Sequence, residues 1–142
     1  MSRRSKNKEF CLLICGSKQW TGIKIVEQTL KKILADAKDN GEELLYIVMG
    51  NNRESEKVAY KAVRKLHLKC AILPADFERH GINAEVFRNG SLLAYFKPKK
   101  ILMLHETPED DPLTKTILRW ARGHDAIVTR LPVPKKNIAK KV

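Results

Sequence analysis

Long hydrophobic runs are absent from this sequence of 142 residues. The longest apolar stretches, Cys11–Cys15 and Leu44–Gly50, are far shorter than the ~20 residues that a membrane-spanning helix needs. The apolar stretch after the basic N-terminus is too short for the hydrophobic part of a secretory signal, and no small-residue cleavage site follows it. The sequence therefore predicts a cytoplasmic protein with no membrane partner.

Cysteine is also scarce. The three cysteines, Cys11, Cys15 and Cys70, are an odd number and show no CxxC spacing. If Cys11 and Cys15 share a strand, they lie ~13 Å apart, which is too far for a disulfide. The four histidines lack the spacing of a metal-binding motif. We therefore predict reduced cysteines in the core, no metal site and no cofactor.

Acidic residues are the minority charge, with 16 Asp and Glu against 28 Lys and Arg and a net charge of +12. Residues 1–8 and 135–142 contain no acid, and they hold Arg3, Arg4, Lys6, Lys8, Lys135, Lys136, Lys140 and Lys141. The rest of the chain carries only +4, because 20 basic residues remain there against 16 acidic ones. We predict basic, flexible tails over 1–8 and 133–142. They either attract nucleic acid without sequence preference or only keep the protein soluble.

The apolar pattern alternates between two periods. Three segments, residues 23–37, 58–66 and 117–121, repeat apolar residues at spacings of three and four, which predicts helices. Five short apolar runs have the composition of strands buried on both faces of a parallel sheet. These runs are Phe10–Cys15, Leu44–Met49, Lys69–Leu73, Lys100–Leu104 and Ala126–Thr129.

This alternation predicts the fold class. Strands that alternate with helices form an open parallel sheet with helices on both faces, joined by right-handed crossovers. We therefore expect one Rossmann-like, three-layer α/β domain of about five strands over residues 9–132. Pro132-Val133-Pro134 marks its end, because closely spaced prolines cannot continue a helix or an interior strand.

Ligands of such sheets bind at the carboxyl ends of the strands, so the loops after the strands are the candidate site. Gly16 and Ser17 follow the first strand and offer amides and a hydroxyl to an anion, to which Lys18 adds a positive charge. The alternative is an ordinary turn between strand and helix. Trp20 either stacks on a base or fills the core, and core packing is favoured.

The second loop has the same ambiguity. Gly50 permits a tight turn, and Arg53 is placed to meet an anion near the start of the next helix. Glu56 either stabilises that helix start, which is favoured, or binds ribose hydroxyls or acts as a carboxylate nucleophile in N-glycosidic chemistry.

The third loop is crowded with charge, and two polar residues follow it about two helical turns later. Asp76 and His80 lie in the loop; Arg88 is suited to clamp a phosphate or carboxylate, and Asn89 to cap a helix or read a base edge. The alternative is an anchoring network in which Arg88 pairs with Asp76 or Glu78.

Four ordered blocks, GSKQW, VMGNNRESEKVA, LPADFERHGINAEVFRNGSLL and MLH before TKTILRWA, resemble the YspA-type, cpYpsA-related branch of the SLOG superfamily. The resemblance spans about residues 10–132 and implies a Rossmann-like domain that binds a nucleotide-derived ligand. Related branches are ligand sensors or nucleotide N-glycosidases. The positions that it marks as the site are Gly16, Ser17, Trp20, Gly50, Arg53, Glu56, Asp76, His80, Gly81, Arg88, Asn89 and Thr114.

The sequence departs from this family at its glycines. Asn51, Glu54 and Leu113 stand where the family has glycine, so a phosphate approaches the backbone less easily, and the PGGxGTxxE pattern of the phosphoribohydrolases is missing. We therefore expect binding of a nucleotide-derived ligand without catalysis. The alternatives are a nucleic-acid-associated protein, a scaffold for protein interaction, and an N-glycosidase that uses Glu56 or Asp76. A homo-oligomer stays open.

Overall fold

The computed structural model describes residues 8–20 and 22–131. Short 3-10 turns lie at Gly81–Asn83 and Pro108–Asp110. The helices and strands in chain order are β1 (Lys8–Gly16), α1 (Ile23–Asp39), β2 (Glu42–Met49), α2 (Glu54–Lys65), β3 (Cys70–Ile72), α3 (Phe77–His80), α4 (Ala84–Phe96), β4 (Lys100–Leu104), α5 (Pro112–Gly123) and β5 (Ile127–Leu131).

The five strands form one parallel sheet in the order β3-β2-β1-β4-β5. This confirms the predicted Rossmann-like architecture. From the central β1 the chain builds outward through β2 and β3, and then crosses back to add β4 and β5 on the other side. The carboxyl ends of β1 and β4 therefore flank the topological switch point, where ligands of such sheets bind.

The core consists of two apolar layers, one on each face of the sheet. On one face, Leu12 and Ile14 of β1 pack in a cluster with α1 and α2. On the other face, Leu13 and Cys15 pack in a cluster with α4 and α5. Because successive side chains of a strand point to opposite faces, an unbroken apolar run supplies both layers.

α1 forms as its pattern predicts. Val26, Leu30 and Ala37 are its buried residues, and they lie on one side of the helix. The helix ends at Asp39 with Asn40 as its C-cap, and Gly41 follows with a φ of +73°, a left-handed conformation that glycine adopts without strain. The chain then reverses into β2.

Several boundaries differ from the sequence prediction. β3 is shorter than predicted and β5 is shifted toward the C-terminus. The helix predicted around residues 117–121 begins earlier, at Pro112, so Thr114 lies in its first turn. α4 was not predicted, because apolar residues occur on both of its sides and leave no amphipathic stripe.

All three cysteines are free, as predicted. Among residues 8–20 and 22–131, no helix is both long and apolar enough to cross a membrane. Lys8 begins β1. The remaining residues of the predicted basic tails lie outside the described residues; they are Arg3, Arg4, Lys6, Lys135, Lys136, Lys140 and Lys141.

Candidate functional site

Five charged side chains meet at the carboxyl edge of the sheet, and we call them the ionic cluster. Two are cationic and three are acidic: Arg53, Arg88, Glu56, Glu85 and Asp111. Arg53, Glu56 and Arg88 are only 6%, 3% and 7% exposed. A charge buried to this extent is tolerated only when it is paired and hydrogen-bonded, so the partners of each group decide what the cluster can do.

Arg53 joins three elements. Its Nε donates to Oε2 of Glu85 on α4 at 2.9 Å, and its Nη1 donates to Oδ2 of Asp111 at 2.7 Å and to the carbonyl of Gly16 at 2.9 Å. Burial alone would lower the pKa of Arg53, but the two carboxylates raise it. The anions that Arg53 contacts in the structure are carboxylates of the protein itself.

The two carboxylates that face Arg53 are held in their charged form. Burial by itself would raise the pKa of Glu85, but hydrogen bonds from Arg53 and Asn52 lower it below its ordinary value. Burial by itself would also raise the pKa of Asp111, but the hydrogen bond from Arg53 lowers this pKa below its ordinary value. The backbone N–H of Leu113 also donates to Asp111 Oδ1 at 3.1 Å and adds to this lowering.

Glu56 closes the start of α2. Its Oε1 accepts the backbone N–H groups of Asn52 at 2.9 Å and Arg53 at 3.1 Å. This confirms the prediction that Glu56 stabilises the helix start. The anion position at this N-terminus is therefore occupied by a carboxylate of the chain itself.

Arg88 lies on the inner side of α4. Its Nη2 donates to Glu56 Oε2 at 3.4 Å, its Nη1 to the carbonyl of Leu73 at 3.0 Å, and its Nε to Asn89 Oδ1 at 2.7 Å. The anchoring partners considered from the sequence were wrong, because the ion pair of Arg88 is with Glu56. Asp76 instead caps α3.

The cap at α3 uses Asp76 Oδ1, which accepts the backbone N–H of Arg79 at 3.1 Å. Asp76 is exposed, whereas Glu56 is almost fully buried. The two carboxylates considered for N-glycosidic chemistry therefore lie in different surroundings, and each serves as a helix cap.

The glycines of the first two loops are required by packing inside the protein. A Cβ on Gly50 would lie 1.7 Å from Nη1 of Arg88 and 2.9 Å from Oε1 of Glu56. A Cβ on Gly16 would lie 2.3 Å from the carbonyl oxygen of Leu104 on β4. At Gly16 the obstacle is backbone, so a side chain is excluded, whereas at Gly50 an added Cβ would displace the guanidinium of Arg88.

Three clefts border the ionic cluster, and the one beside α2, with a volume of about 410 Å³, is lined by Asn51, Glu56, Lys57, Tyr60, Lys61 and Ile72. Most of the predicted loop residues that line a cleft lie in the other two. The first of these, which we call the switch-point cleft, opens between the loops after β1 and β4 and has a volume of about 380 Å³. Its floor includes Asp111 of the ionic cluster. Its other lining residues are Ser17, Lys18, Gln19, His105, Glu106 and Thr107.

The second cleft, the edge cleft, lies between the end of β3 and helices α3 and α4, with a volume of about 250 Å³. It brings together Asp76, His80 and Arg88, three of the predicted site residues. The ring of His80 stacks on that of Phe87, with 4.3 Å between the ring centroids. Ser91 completes the α4 side.

Eight predicted site residues line neither the switch-point cleft nor the edge cleft: Gly16, Trp20, Gly50, Arg53, Glu56, Gly81, Asn89 and Thr114. Trp20 is 1% exposed and packs in the core, as its favoured interpretation held. The hydroxyl of Thr114 is buried and donates to the carbonyl of Pro108 at 2.8 Å. Both residues therefore support the loops from beneath.

Three residues that contact the predicted site residues or line the switch-point cleft were not predicted from the sequence: Glu85, His105 and Asp111. His105 Nδ1 accepts the backbone N–H of Thr107 at 3.0 Å, so in the neutral ring Nε2 carries the proton and donates to Asp111 Oδ2 at 3.3 Å. A signal existed for Asp111, because an aspartate directly before proline is typical of a helix start. Nothing local marks Glu85 as the partner of Arg53.

Comparison of the chain with protein-family models, with curated proteins and with solved structures found no match. Within the part of the chain that the structure describes, no group of three or more His, Cys, Asp or Glu side chains is placed to hold a metal ion.

Proposed function

We propose that the protein binds a nucleotide-derived anionic ligand in the switch-point cleft and does not alter it chemically. The observation that carries this proposal is the position of the cleft, between the carboxyl ends of the adjacent parallel strands β1 and β4. In open α/β sheets this position is the general ligand site. A volume of about 380 Å³ falls within the range of small-molecule pockets.

The starts of the helices favour this cleft over the α2 region as the place for a phosphate. The first turn of α2 contains Glu54 and Glu56, and Glu56 already accepts the free amides there. The first turn of α1 has no acidic residue, and its N-cap, Gly22, has no side chain with which to occupy the amides. α1 follows β1 directly, so its positive end lies at the same edge of the sheet as the cleft.

Different side chains of the switch-point cleft suit different groups of a nucleotide. Lys18 is exposed and supplies a positive charge for a phosphate. Glu106 is exposed on the opposite loop, where its carboxylate suits ribose hydroxyls, a pairing that dinucleotide-binding domains also use. The hydroxyl of Thr107 adds a neutral hydrogen-bonding group. The hydroxyl of Ser17 donates to the carbonyl of Gln19 at 2.6 Å, so its oxygen offers the ligand an acceptor.

We propose that the protein does not catalyse a reaction because the acids of the ionic cluster are already hydrogen-bonded and ion-paired. Both oxygens of Asp111 are engaged, Oδ1 by the amide of Leu113 and Oδ2 by Arg53 and His105. Glu56 is likewise engaged by amides and by Arg88. A carboxylate that is ion-paired and hydrogen-bonded is a weak nucleophile and a weak base.

Calorimetry with mono-, di- and cyclic nucleotides and ADP-ribose tests the proposal, together with mass spectrometry of small molecules released from the denatured protein. We expect heat with at least one nucleotide and no change in that nucleotide on prolonged incubation. Lys18→Ala should weaken its binding on the order of tenfold, because it removes a charge-assisted contact. Lys31→Ala, which removes an exposed lysine of α1 away from the cleft, is the control.

Two results would overturn the proposal. The first is a complete lack of heat with every nucleotide at high protein concentration and no released small molecule. The second is an equal loss of affinity in the Lys18 and Lys31 variants, which would point to net charge alone.

A further inference from the structure

α4 is apolar on both of its sides. Its inner side packs Leu92 and Leu93, which are 2% and 5% exposed, against the sheet. On its outer side Val86, Phe87 and Tyr95 are 55%, 54% and 80% exposed. A helix of a water-soluble fold normally turns polar residues outward, and one that is apolar all round is typical of a helix covered on both sides.

The outer side of α4 continues into the preceding turn. Ile82 is 96% exposed and Phe77 on α3 is 51% exposed. Of the eight large apolar residues that are exposed in the described parts of the chain, five therefore fall between residues 77 and 95. We call this surface the α4 face; its large residues are Phe77, Ile82, Val86, Phe87 and Tyr95.

The outer side of α4 also carries no charge. The charged residues within the helix, Glu85 and Arg88, point inward to the ionic cluster. The other outward residues are small: Gly90, Ser91 and Ala94. Charged residues make up 31% of the chain and its net charge is +12, so a neutral surface of this length is unusual for this sequence.

We propose that the α4 face is the interface of a symmetric homodimer, in which two copies of α4 pack antiparallel about a two-fold axis between Gly90 and Ser91. This register sets Phe87 of one copy opposite Ala94 of the other, while Val86 and Tyr95 lie on the two flanks of the contact. Gly90 and Ser91 meet at the axis, where their small size lets the helices approach closely. A two-fold interface needs such self-complementarity, with large residues opposite small ones.

The charge of the chain favours a second copy over an acidic partner. A protein or nucleic acid attracted by positive charge would be met by lysines or arginines; no lysine or arginine within α4 points outward, and the exposed Arg79 and Lys97 lie beyond its two ends. Two copies of a strongly basic chain repel each other, and contact through a neutral face keeps their cationic groups apart.

The size of the surface is adequate for this assembly. The 13 residues of α4 span about 20 Å. The large exposed side chains and the backbone between them offer on the order of 600 Å² per copy, near the ~800 Å² per partner of a standard interface. Phe87 and Ser91 also line the edge cleft, so the second copy would lie against its rim.

Sedimentation analysis over a range of concentrations tests the dimer. We expect the wild type to have twice the mass of the chain. Ala94→Arg, which places two like charges across the axis, should weaken association at least about a hundredfold. Ala35→Arg is the matched control, because Ala35 is an exposed alanine on α1, and it should leave the dimer intact. Circular dichroism checks that both variants are folded.

A second variant keeps the test decisive if Ala94→Arg does not fold. Ser91→Cys lies beside the proposed axis, so mild oxidation should link two copies through this residue, whereas Ala35→Cys should not produce the same link. A wild-type protein that is monomeric at its highest soluble concentration overturns the proposal. So does a folded Ala94→Arg variant that dimerises like the wild type. Neither outcome bears on ligand binding at the switch-point cleft.

Discussion

Gly50 packs directly against Arg88 and Glu56 of the ionic cluster. An added Cβ would lie 1.7 Å from Arg88 Nη1. In the Gly50→Ala variant the guanidinium of Arg88 therefore has to move away from Glu56 and from the carbonyl of Leu73. Disturbing a buried ion pair and overpacking its surroundings both destabilise a protein. We expect Gly50→Ala to lower the free energy of unfolding by about 3 kcal/mol in urea denaturation.

The control for this substitution is Gly123→Ala at the end of α5. No atom would lie within 4 Å of its Cβ. Its free energy of unfolding should stay within about 0.5 kcal/mol of the wild type or rise slightly. If the two alanine variants were equally stable, the close packing of Arg88 against Gly50 would be wrong.

The residues of the cluster show what local sequence could and could not predict. Gly50, Arg53 and Glu56 follow a strand directly, so their place at the carboxyl edge of the sheet was predictable. The partner of Arg53 was not, because Glu85 lies 32 positions further along the chain on another helix. Spacing indicates which edge a cation reaches, but only the fold determines whether a carboxylate of the protein reaches it as well.

At the scale of the element, α5 depends on one residue at its start. Asp111 Oδ1 accepts the amide of Leu113, and Oδ2 accepts from Arg53 and His105. Asp111→Asn keeps an oxygen for the cap but loses the charge that faces Arg53, whereas Asp111→Ala loses both. We expect both variants to be destabilised in thermal and urea unfolding, the alanine variant by about 1 kcal/mol more than the asparagine variant.

The neighbouring Asp110→Asn serves as the control, because Asp110 is exposed at the end of a 3-10 turn and should leave the unfolding midpoint unchanged. Equal losses in Asp111→Asn and Asp111→Ala would mean that the hydrogen bond to Leu113 contributes nothing. The stability of α5 would then come from its packing alone.

The helices also differ in how well they were predicted. α1 was predicted correctly because Val26, Leu30 and Ala37 share one face and Asn40-Gly41 gives a recognisable end. α4 was missed because its outer side is as apolar as its inner side, so no period of three to four stands out. The property that hid this helix from the sequence is the same one that supports the proposed dimer.

At the scale of the whole molecule, the three acids of the ionic cluster connect α2, α4 and α5 to two arginines that bridge the loops of the sheet. The fold class follows from the alternation of strands and helices along the chain, and it was predictable. The cluster that joins the elements was not, since its members come from three segments that meet only after folding. The integrity of the whole edge of the sheet therefore depends on the charge state of these acids.

The pH dependence of stability follows from that charge state. The pKa values of Glu85 and Asp111 are lower in the folded protein than their ordinary values, which are about 4.3 for Glu and about 3.9 for Asp. In the acidic range the unfolded chain therefore binds more protons than the native one. The stabilisation is fully present above these ordinary values and is lost as the pH falls through the lowered ones. We expect the urea midpoint to be level just above about pH 5 and to fall steadily below it.

Two double variants separate the ionic cluster from the general effect of acid. Glu85→Gln with Asp111→Asn removes the two carboxylates that face Arg53, so this variant should be less stable at neutral pH and lose less stability on acidification. Glu78→Gln with Asp39→Asn makes the same charge change at exposed positions and should keep the wild-type acid profile. Identical acid profiles in all three proteins would show that general repulsion within this strongly basic chain, and not the cluster, sets the acid limit of the fold.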